Sequence, residues 1–407
     1  MSADQIAVTG LGLLTSGGPD TATTWDAVCA GRPTAAIDPD LGDVPVPISC
    51  RIPDFDARTL HGRNAWRMDR FVHLALAAAR EAVTHANLDP NTWDGTRVAV
   101  IVGVGSESRE SIFTATRKVI NHDYATLSPL TVPRSTTNAA AAEIGIALRA
   151  YGPSMAVTTA CASGATAIGI AKDLLAAGRC DIALAGGAEA PCHPLSSLGF
   201  SQMGALSTRL HDPSGASRPF DADRDGFVLA EGAGILVLER AAHARARRAP
   251  ALAHLAGFGA STDGHHYAAP HPDGIGIERA FTAALADADL HHTDIHHVNA
   301  HGTGTPMNDR IEGATLQRIF RGRPPVVTSA KGTTGHALGA AGAIEAALSV
   351  LTLWHQLVPP TANLDRIDPD IDLDVVSKQP RPARIDAVAS NSYGFGGHNA
   401  VLVLTRS

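Results

Sequence analysis

Val157-Thr-Thr-Ala-Cys161-Ala-Ser-Gly164 runs from β-branched residues into small ones and opens onto an Ala/Gly-rich stretch over 163–177. Val327-Thr-Ser-Ala-Lys331 repeats that transition 170 residues later. The closing segments match as well: Gly234-Ile-Leu-Val-Leu-Glu-Arg240 is echoed by Ala400-Val-Leu-Val-Leu-Thr-Arg406, 166 residues on. Each unit reads as a strand, a small-residue turn and a helix, the pattern of an α/β fold. Chance similarity among Ala/Val-rich segments is the competing explanation. Two nearly equal offsets favour duplicated halves, 1–250 and 251–407. In such folds ligands collect beyond the carboxyl ends of strands, where Cys161 and Lys331 fall.

Outward from these anchors, strands are expected at 6–13, 98–104, 155–158, 182–186, 234–238, 295–299, 326–328 and 400–404. Helices are expected at 69–86, 139–150, 163–177, 277–288, 309–320 and 338–354. The first of these carries the apolar stripe Phe71, Leu74, Ala78, Ala82 and Val83. A chain of 407 residues exceeds what one hydrophobic core usually organises, in keeping with two packed halves. Its 44% apolar and 18% charged residues exclude a disordered chain. A net charge of −7 argues against nucleic-acid binding. No apolar run looks long enough to span a membrane and the N-terminus lacks a secretory pattern, so a soluble, cytoplasmic protein is expected. Five cysteines at unpaired spacings imply no disulfide framework.

Cys161 is placed at a helix N-terminus, where the macrodipole is expected to lower a thiol pKa and raise the thiolate fraction. A thiol nucleophile needs partners. His301, in Val298-Asn-Ala-His-Gly-Thr-Gly-Thr-Pro306, and His336, in Ser329-Ala-Lys-Gly-Thr-Thr-Gly-His336, both lie in glycine-rich turns that allow close backbone approach. Each histidine taken alone reads as a surface or capping residue, and a lone Cys161 as a buried structural one. The pairs His265-His266, His291-His292 and His296-His297 are read as solvated. No metal site is indicated. Asn391-Ser-Tyr-Gly-Phe-Gly-Gly-His-Asn399 is read as a glycine-rich turn ahead of the last strand, able to aim backbone N–H groups at an oxyanion.

Together, Thr159-Ala-Cys161-Ala-Ser-Gly, Asn299-Ala-His301-Gly-Thr-Gly-Thr305, Lys331-Gly-Thr-Thr-Gly-His336 and Gly394-Phe-Gly-Gly397 resemble, in order, the motifs of the elongating Cys-His-His β-ketoacyl-acyl-carrier-protein synthases of fatty-acid and type II polyketide assembly. The resemblance covers nearly the whole chain. It implies the thiolase fold, with duplicated α/β halves in a five-layer αβαβα arrangement, an N-terminal half carrying the cysteine and a C-terminal half carrying both histidines. It implies an acyltransferase in which Cys161 takes an acyl chain from a carrier protein. A malonyl-carrier then decarboxylates and attacks, giving a 3-oxoacyl chain. The catalytic set would be Cys161, His301, His336 and Lys331, with the N–H groups of Cys161 and Phe395 as oxyanion hole and Phe395 as gate. Glu345 would support Lys331 as an ion pair, Thr303 and Thr305 would touch the pantetheine arm, and Phe200 would lie near the acyl pocket.

No resident cofactor is implied, since phosphopantetheine arrives on the acyl carrier protein. Partners would be that carrier and a second subunit, either another copy or a chain-length factor. Neither nucleic acid nor membrane is expected. Gly304 stands where fatty-acid enzymes commonly carry serine, Ala268 and Ala269 where hydroxyls often touch pantetheine, and His398 where threonine is frequent. These departures favour polyketide or specialised fatty-acid assembly over housekeeping elongation. An inactive chain-length partner would lack Cys161, a degradative thiolase would show a second catalytic cysteine, and an initiating synthase would place Asn at His336. An acyl-binding scaffold without turnover is the non-enzymatic alternative. Arg63, Arg67, Arg70, Arg209 and Arg218 are candidates for a basic carrier-docking patch against the negative global field.

Overall fold

The computed structural model describes residues 5–407. Eleven strands form one mixed sheet. In chain order they are β1 (Ile6–Leu14), β2 (Val98–Gly103), β3 (Ser154–Val157), β4 (Ile182–Glu189), β5 (Gly232–Arg240), β6 (Ala253–Thr262), β7 (His297–Asn299), β8 (Val326–Thr328), β9 (Asp374–Val375), β10 (Ala387–Gly394) and β11 (His398–Thr405). The spatial order is β9-β8-β7-β10-β11-β6-β1-β5-β4-β2-β3. The halves meet where β1 pairs antiparallel with β6, Ile6 opposite Leu255. On each side of that join come two antiparallel pairings followed by parallel ones, with β9 added at one edge. The repeat read in the sequence is thus a repeat of strand order.

Seven helices matter to the site: α1 (Arg70–His85), α2 (Arg109–Ile120), α3 (Ala139–Leu148), α4 (Ser163–Ala176), α5 (Ile275–Ala288), α6 (Pro306–Ile319) and α7 (Ala341–His355). α1 and α3 pack outside the first half, and α5, flanked by α6, outside the second. α4 and α7 touch strands of both halves and fill the middle. That is the five-layer αβαβα arrangement of the thiolase fold. Every residue of α7 from Ala341 to Leu353 is buried, as a helix apolar on all sides must be. Contrary to the reading of the sequence, Leu338–His355 is long and apolar enough to cross a membrane, at 18 residues and mean hydropathy 1.3. It is a core helix, with 89% of that window inside the fold.

Both halves seat an outer helix on the sheet by the same device. A Cβ on Gly12 would come within 1.9 Å of Ala78 O in α1, and one on Gly259 within 2.1 Å of Ala280 O in α5. Only glycine lets those helices lie so close. Gly259 and Gly257 also hid β6 from the sequence reading, because Ala/Gly-rich strands carry little β-propensity. The reading also took 391–399 as one turn. Asn391 to Gly394 instead belong to β10, and the reversal is confined to Phe395, Gly396 and Gly397, with φ of 85° and 73° at the two glycines. His297 departs from expectation too. It lies on β7 with no exposure and neither ring nitrogen has a partner, so burial pulls its pKa down to about 3.

Candidate active site

β3 ends at Val157 and α4 starts at Ser163, leaving a tight turn that presents Cys161. Ser163 makes the turn: its Oγ accepts the Thr159 N–H at 2.9 Å and donates to Ala160 O at 2.6 Å. Ala160 takes φ of 49°, a left-handed conformation that disfavours side chains but is least hindered for a small one. The Phe395 turn is pressed against this one, for a Cβ on Gly394 would sit 2.5 Å from Thr159 O. The contact brings the Phe395 N–H onto the Cys161 sulfur, and the Cys161 N–H faces it as well. Cys161 is 7% exposed, and burial pushes its thiol up to about 12 against the pull of Lys331 and those N–H groups. The expected lowering by the helix terminus is therefore overturned. The resting group is a thiol, because desolvation of the anion outweighs the favourable field.

β7 delivers His301 and β8 delivers Lys331, adjacent parallel strands whose ends open on the same side. Lys331 Nζ donates to His301 O at 2.6 Å, lies 3.5 Å from His301 Nδ1, and contacts Glu345 Oε1 on α7. An ammonium has only protons to offer, so Nδ1 of His301 acts as acceptor and the ring proton resides on Nε2. Lys331 and Glu345 are 1% and 2% exposed, and burial pushes the Glu345 carboxyl up to about 7 against the attraction of Lys331. His336 is pinned by its backbone: its N–H donates to Val228 O and its carbonyl accepts from Ala230 N–H. Burial and the Lys331 charge hold both His301 and His336 well below the usual histidine range, so both are neutral imidazoles at pH 7. Their rings meet edge to face at 5.4 Å.

Cys161, His301, His336, Thr303, Thr305 and Phe395 line one cavity of about 430 Å³. The two threonine hydroxyls are 3.0 Å apart, and Thr305 also caps α6 by accepting the Asn308 N–H. Phe200 does not line this space. It stands behind it, 5.4 Å from the Phe227 ring and 6.2 Å from Phe395. Phe227, which the sequence reading missed, lies in the wall with its ring edge-on to His336 at 5.2 Å.

Two acids were missed as well. Glu312 accepts the N–H groups of His301 and Gly302, both at 2.8 Å, and burial pushes its carboxyl up to about 7. Asp309 accepts from Gly304 N–H at 3.2 Å and Phe220 N–H at 2.8 Å. The signal available for them was their i, i+3 spacing on a helix directly after the glycine loop. Of the docking candidates, Arg70 forks onto Glu231 at 2.6 Å, Arg67 pairs with Glu143, and Arg218 is 6% exposed between Asp221 and Asp365. These three hold the fold together, which leaves Arg63 and Arg209 for a surface role.

The family model for the beta-ketoacyl synthase N-terminal domain matches residues 3–244, and that for the C-terminal domain matches residues 252–365. The chain belongs to the beta-ketoacyl synthase family and is an acyltransferase-type condensing enzyme. It is similar to the 3-oxoacyl-(acyl-carrier-protein) synthase 2 of Synechocystis sp., with 38% identity over 409 residues, 99% of this chain and 98% of that protein. Among solved structures it is similar to the ishigamide ketosynthase/chain length factor, at a TM-score of 0.92 and 35% identity over 99% of each chain. A type II PKS ketosynthase in complex with its acyl-carrier protein and bound to the hexaketide aligns at 0.91, with 30% identity over 99% of each chain.

Proposed function

We propose that Cys161 carries the growing acyl chain and that His301 and His336 hold the enolate of a decarboxylated malonyl unit. The observation that carries this reading is the single cavity lined by that thiol and by two neutral imidazoles. Cys161 Sγ attacks the thioester of an acyl carrier protein, and the N–H groups of Cys161 and Phe395 receive the oxyanion. The carrier sulfur leaves with the thiol proton. Malonyl-carrier then loses carbon dioxide, and the enolate oxygen accepts from His301 Nε2–H and from His336. The enolate carbon attacks the acyl-cysteine, the thiolate departs and takes up a proton, and a 3-oxoacyl-carrier remains. Lys331 acts by fixing the His301 tautomer. Thr303 and Thr305 bind the pantetheine arm and Phe395 gates it. Phosphopantetheine enters with the carrier, so no resident cofactor or metal takes part.

The work is placed in polyketide or specialised fatty-acid assembly, in the cytoplasm. Support comes from the wall of the cavity, where Ala268 and Ala269 offer no hydroxyl to the arm, and from the solved relatives named above. The two halves, 1–250 and 251–407, divide the labour, one supplying the nucleophile and the other both imidazoles. A second subunit, another copy or a chain-length factor, is proposed to pair along β3. That strand ends the sheet with Met155 exposed, and Ile112, Phe113 and Ile146 expose apolar side chains on α2 and α3.

The test is reconstitution with malonyl-carrier and a ladder of acyl primers, followed by intact-protein mass spectrometry. Wild type should gain the acyl mass and release a chain two carbons longer, while Cys161→Ala should remain folded and gain nothing. Chain extension by Cys161→Ala would remove the cysteine from the mechanism. Stable acylation with no extension product would favour an acyl-binding scaffold.

A further inference from the structure

Two thioethers flank the open end of the catalytic cavity. Met203 and Met307 line the space that contains Cys161 and are 48% and 47% exposed, whereas Cys161, His301, Thr303 and Phe227 are buried. Exposure that rises outward from the thiol places both methionines at the mouth. They arrive from opposite halves of the chain. Met203 follows the helix Pro194–Gln202, and Met307 sits in the first turn of α6, directly after Pro306. The chain holds only five methionines. Of the other described ones, Met68 is buried and Met155 lies on the edge strand β3, where a second subunit is proposed to pair. The mouth stays open in any assembly, because the carrier arm must pass through it.

Two kinds of sulfur therefore share one cavity, and they differ in how they meet an oxidant. A cysteine reacts with peroxides through its thiolate, and Cys161 is held as a buried thiol. A thioether needs no deprotonation, only contact. Oxygen transfer from a hydroperoxide breaks its O–O bond, forms an S–O bond at methionine and releases water or an alcohol. Sulfur is oxidised and the peroxide reduced, with no further reactant. The product is a polar sulfoxide in place of a flexible apolar side chain. Around it, Ala268, Ala269, Pro270 and Pro306 offer no side-chain donor, and the Asn308 amide already donates to Asp309 at 3.1 Å. Once the arm fills the mouth, the sulfoxide oxygen must shed its water without a replacement, a cost that falls on carrier binding.

We propose that Met203 and Met307 form a modification site: hydroperoxides oxidise them ahead of Cys161, and the oxidised rim weakens entry of the carrier arm while the nucleophile stays intact. The proposal rests on the reading of Cys161 as acyl acceptor and adds a control over access to it. In the test, the enzyme is treated with hydrogen peroxide, freed of it, and mapped by peptide mass spectrometry alongside condensation kinetics with malonyl-carrier. Met203 and Met307 should each gain one oxygen before Cys161 gains any. KM for the carrier should rise about tenfold, the scale of one polar group desolvated without a partner, with kcat little changed. Methionine sulfoxide reductases should restore KM. The variant Met203→Leu/Met307→Leu should show no rise over its own untreated KM. Oxygen on Cys161 first, an unchanged KM in wild type carrying both sulfoxides, or an equal rise in the leucine variant would overturn the proposal. The peptide map needs no turnover, so failure of untreated enzyme to condense would strike the role of Cys161, while the order of oxidation would still decide the rim.

Discussion

Replacing Lys331 with methionine keeps the length of the side chain and deletes its charge. The consequences divide between stability and rate. Lys331 and Glu345 are 1% and 2% exposed, so the substitution strands a carboxylate in the core. Breaking a buried pair from one side typically costs about 3–5 kcal/mol. Part of that loss can be escaped by protonation. Burial already holds Glu345 at about 7, above an unfolded value of 4.5, and without the ammonium it rises further. A raised carboxyl favours the fold when protonated, so the penalty should be small near pH 5 and grow as pH increases through 7. The rate responds for another reason. Without Nζ beside Nδ1, His301 is free to place its proton there, and the tautomer able to donate from Nε2 is depopulated. Loss of one such donor lowers rates by about 10²–10³. The double variant Lys331→Met/Glu345→Gln separates the two effects. Urea unfolding should show stability largely restored, because no lone charge remains. Decarboxylation of malonyl-carrier should stay slow, because the tautomer is still unlocked. Recovery of both in the double variant, or a Lys331→Met rate within about threefold of wild type, would refute the tautomer argument.

His297→Leu should stabilise the protein, and more so in acid. The native ring stays neutral down to about 3, whereas the unfolded ring takes a proton near 6.5. Wild type therefore loses about 1.4 kcal/mol of stability per pH unit below 6.5 through this group, and the variant does not. Urea midpoints of the two proteins from pH 8 to pH 5 check this, and parallel curves would mean that the ring is not held neutral. Charge reversal at Arg63 or Arg209 should weaken acyl transfer from the carrier and flatten its salt dependence without loss of folding. Arg218→Glu should unfold the protein, since it places a third carboxylate beside Asp221 and Asp365. Thermal denaturation alongside transfer assays separates the two classes, and unchanged transfer at both Arg63 and Arg209 would exclude them from docking.

Local chemistry made much of this protein legible. Short strands running into small residues marked the ends where Cys161 and Lys331 stand, and two nearly equal offsets pointed to duplicated halves. Glycine-rich turns around His301, His336 and Phe395 were visible because glycine tolerates backbone conformations that other residues do not. The strand β6 escaped, since its glycines serve contact with α5 and contact leaves no periodic trace. Glu312 and Asp309 escaped because their function is to accept N–H groups from another segment. A carboxylate on an amphipathic helix looks the same whether it faces water or a loop.

What the linear order determined was the inventory: one thiol, two imidazoles, one ammonium and the turns that bear them. The tertiary structure decided their state. Burial depends on what lies above and below a residue; desolvation turned an anticipated thiolate into a thiol and, together with the Lys331 charge, kept both imidazoles neutral. It also turned Arg70 and Arg218 from presumed surface charges into ion-paired struts, Arg70 partly exposed on Glu231 and Arg218 buried on Asp221. Those outcomes arise from the dielectric and the partners that distant segments bring together, and neither is encoded in the spacing of neighbouring residues.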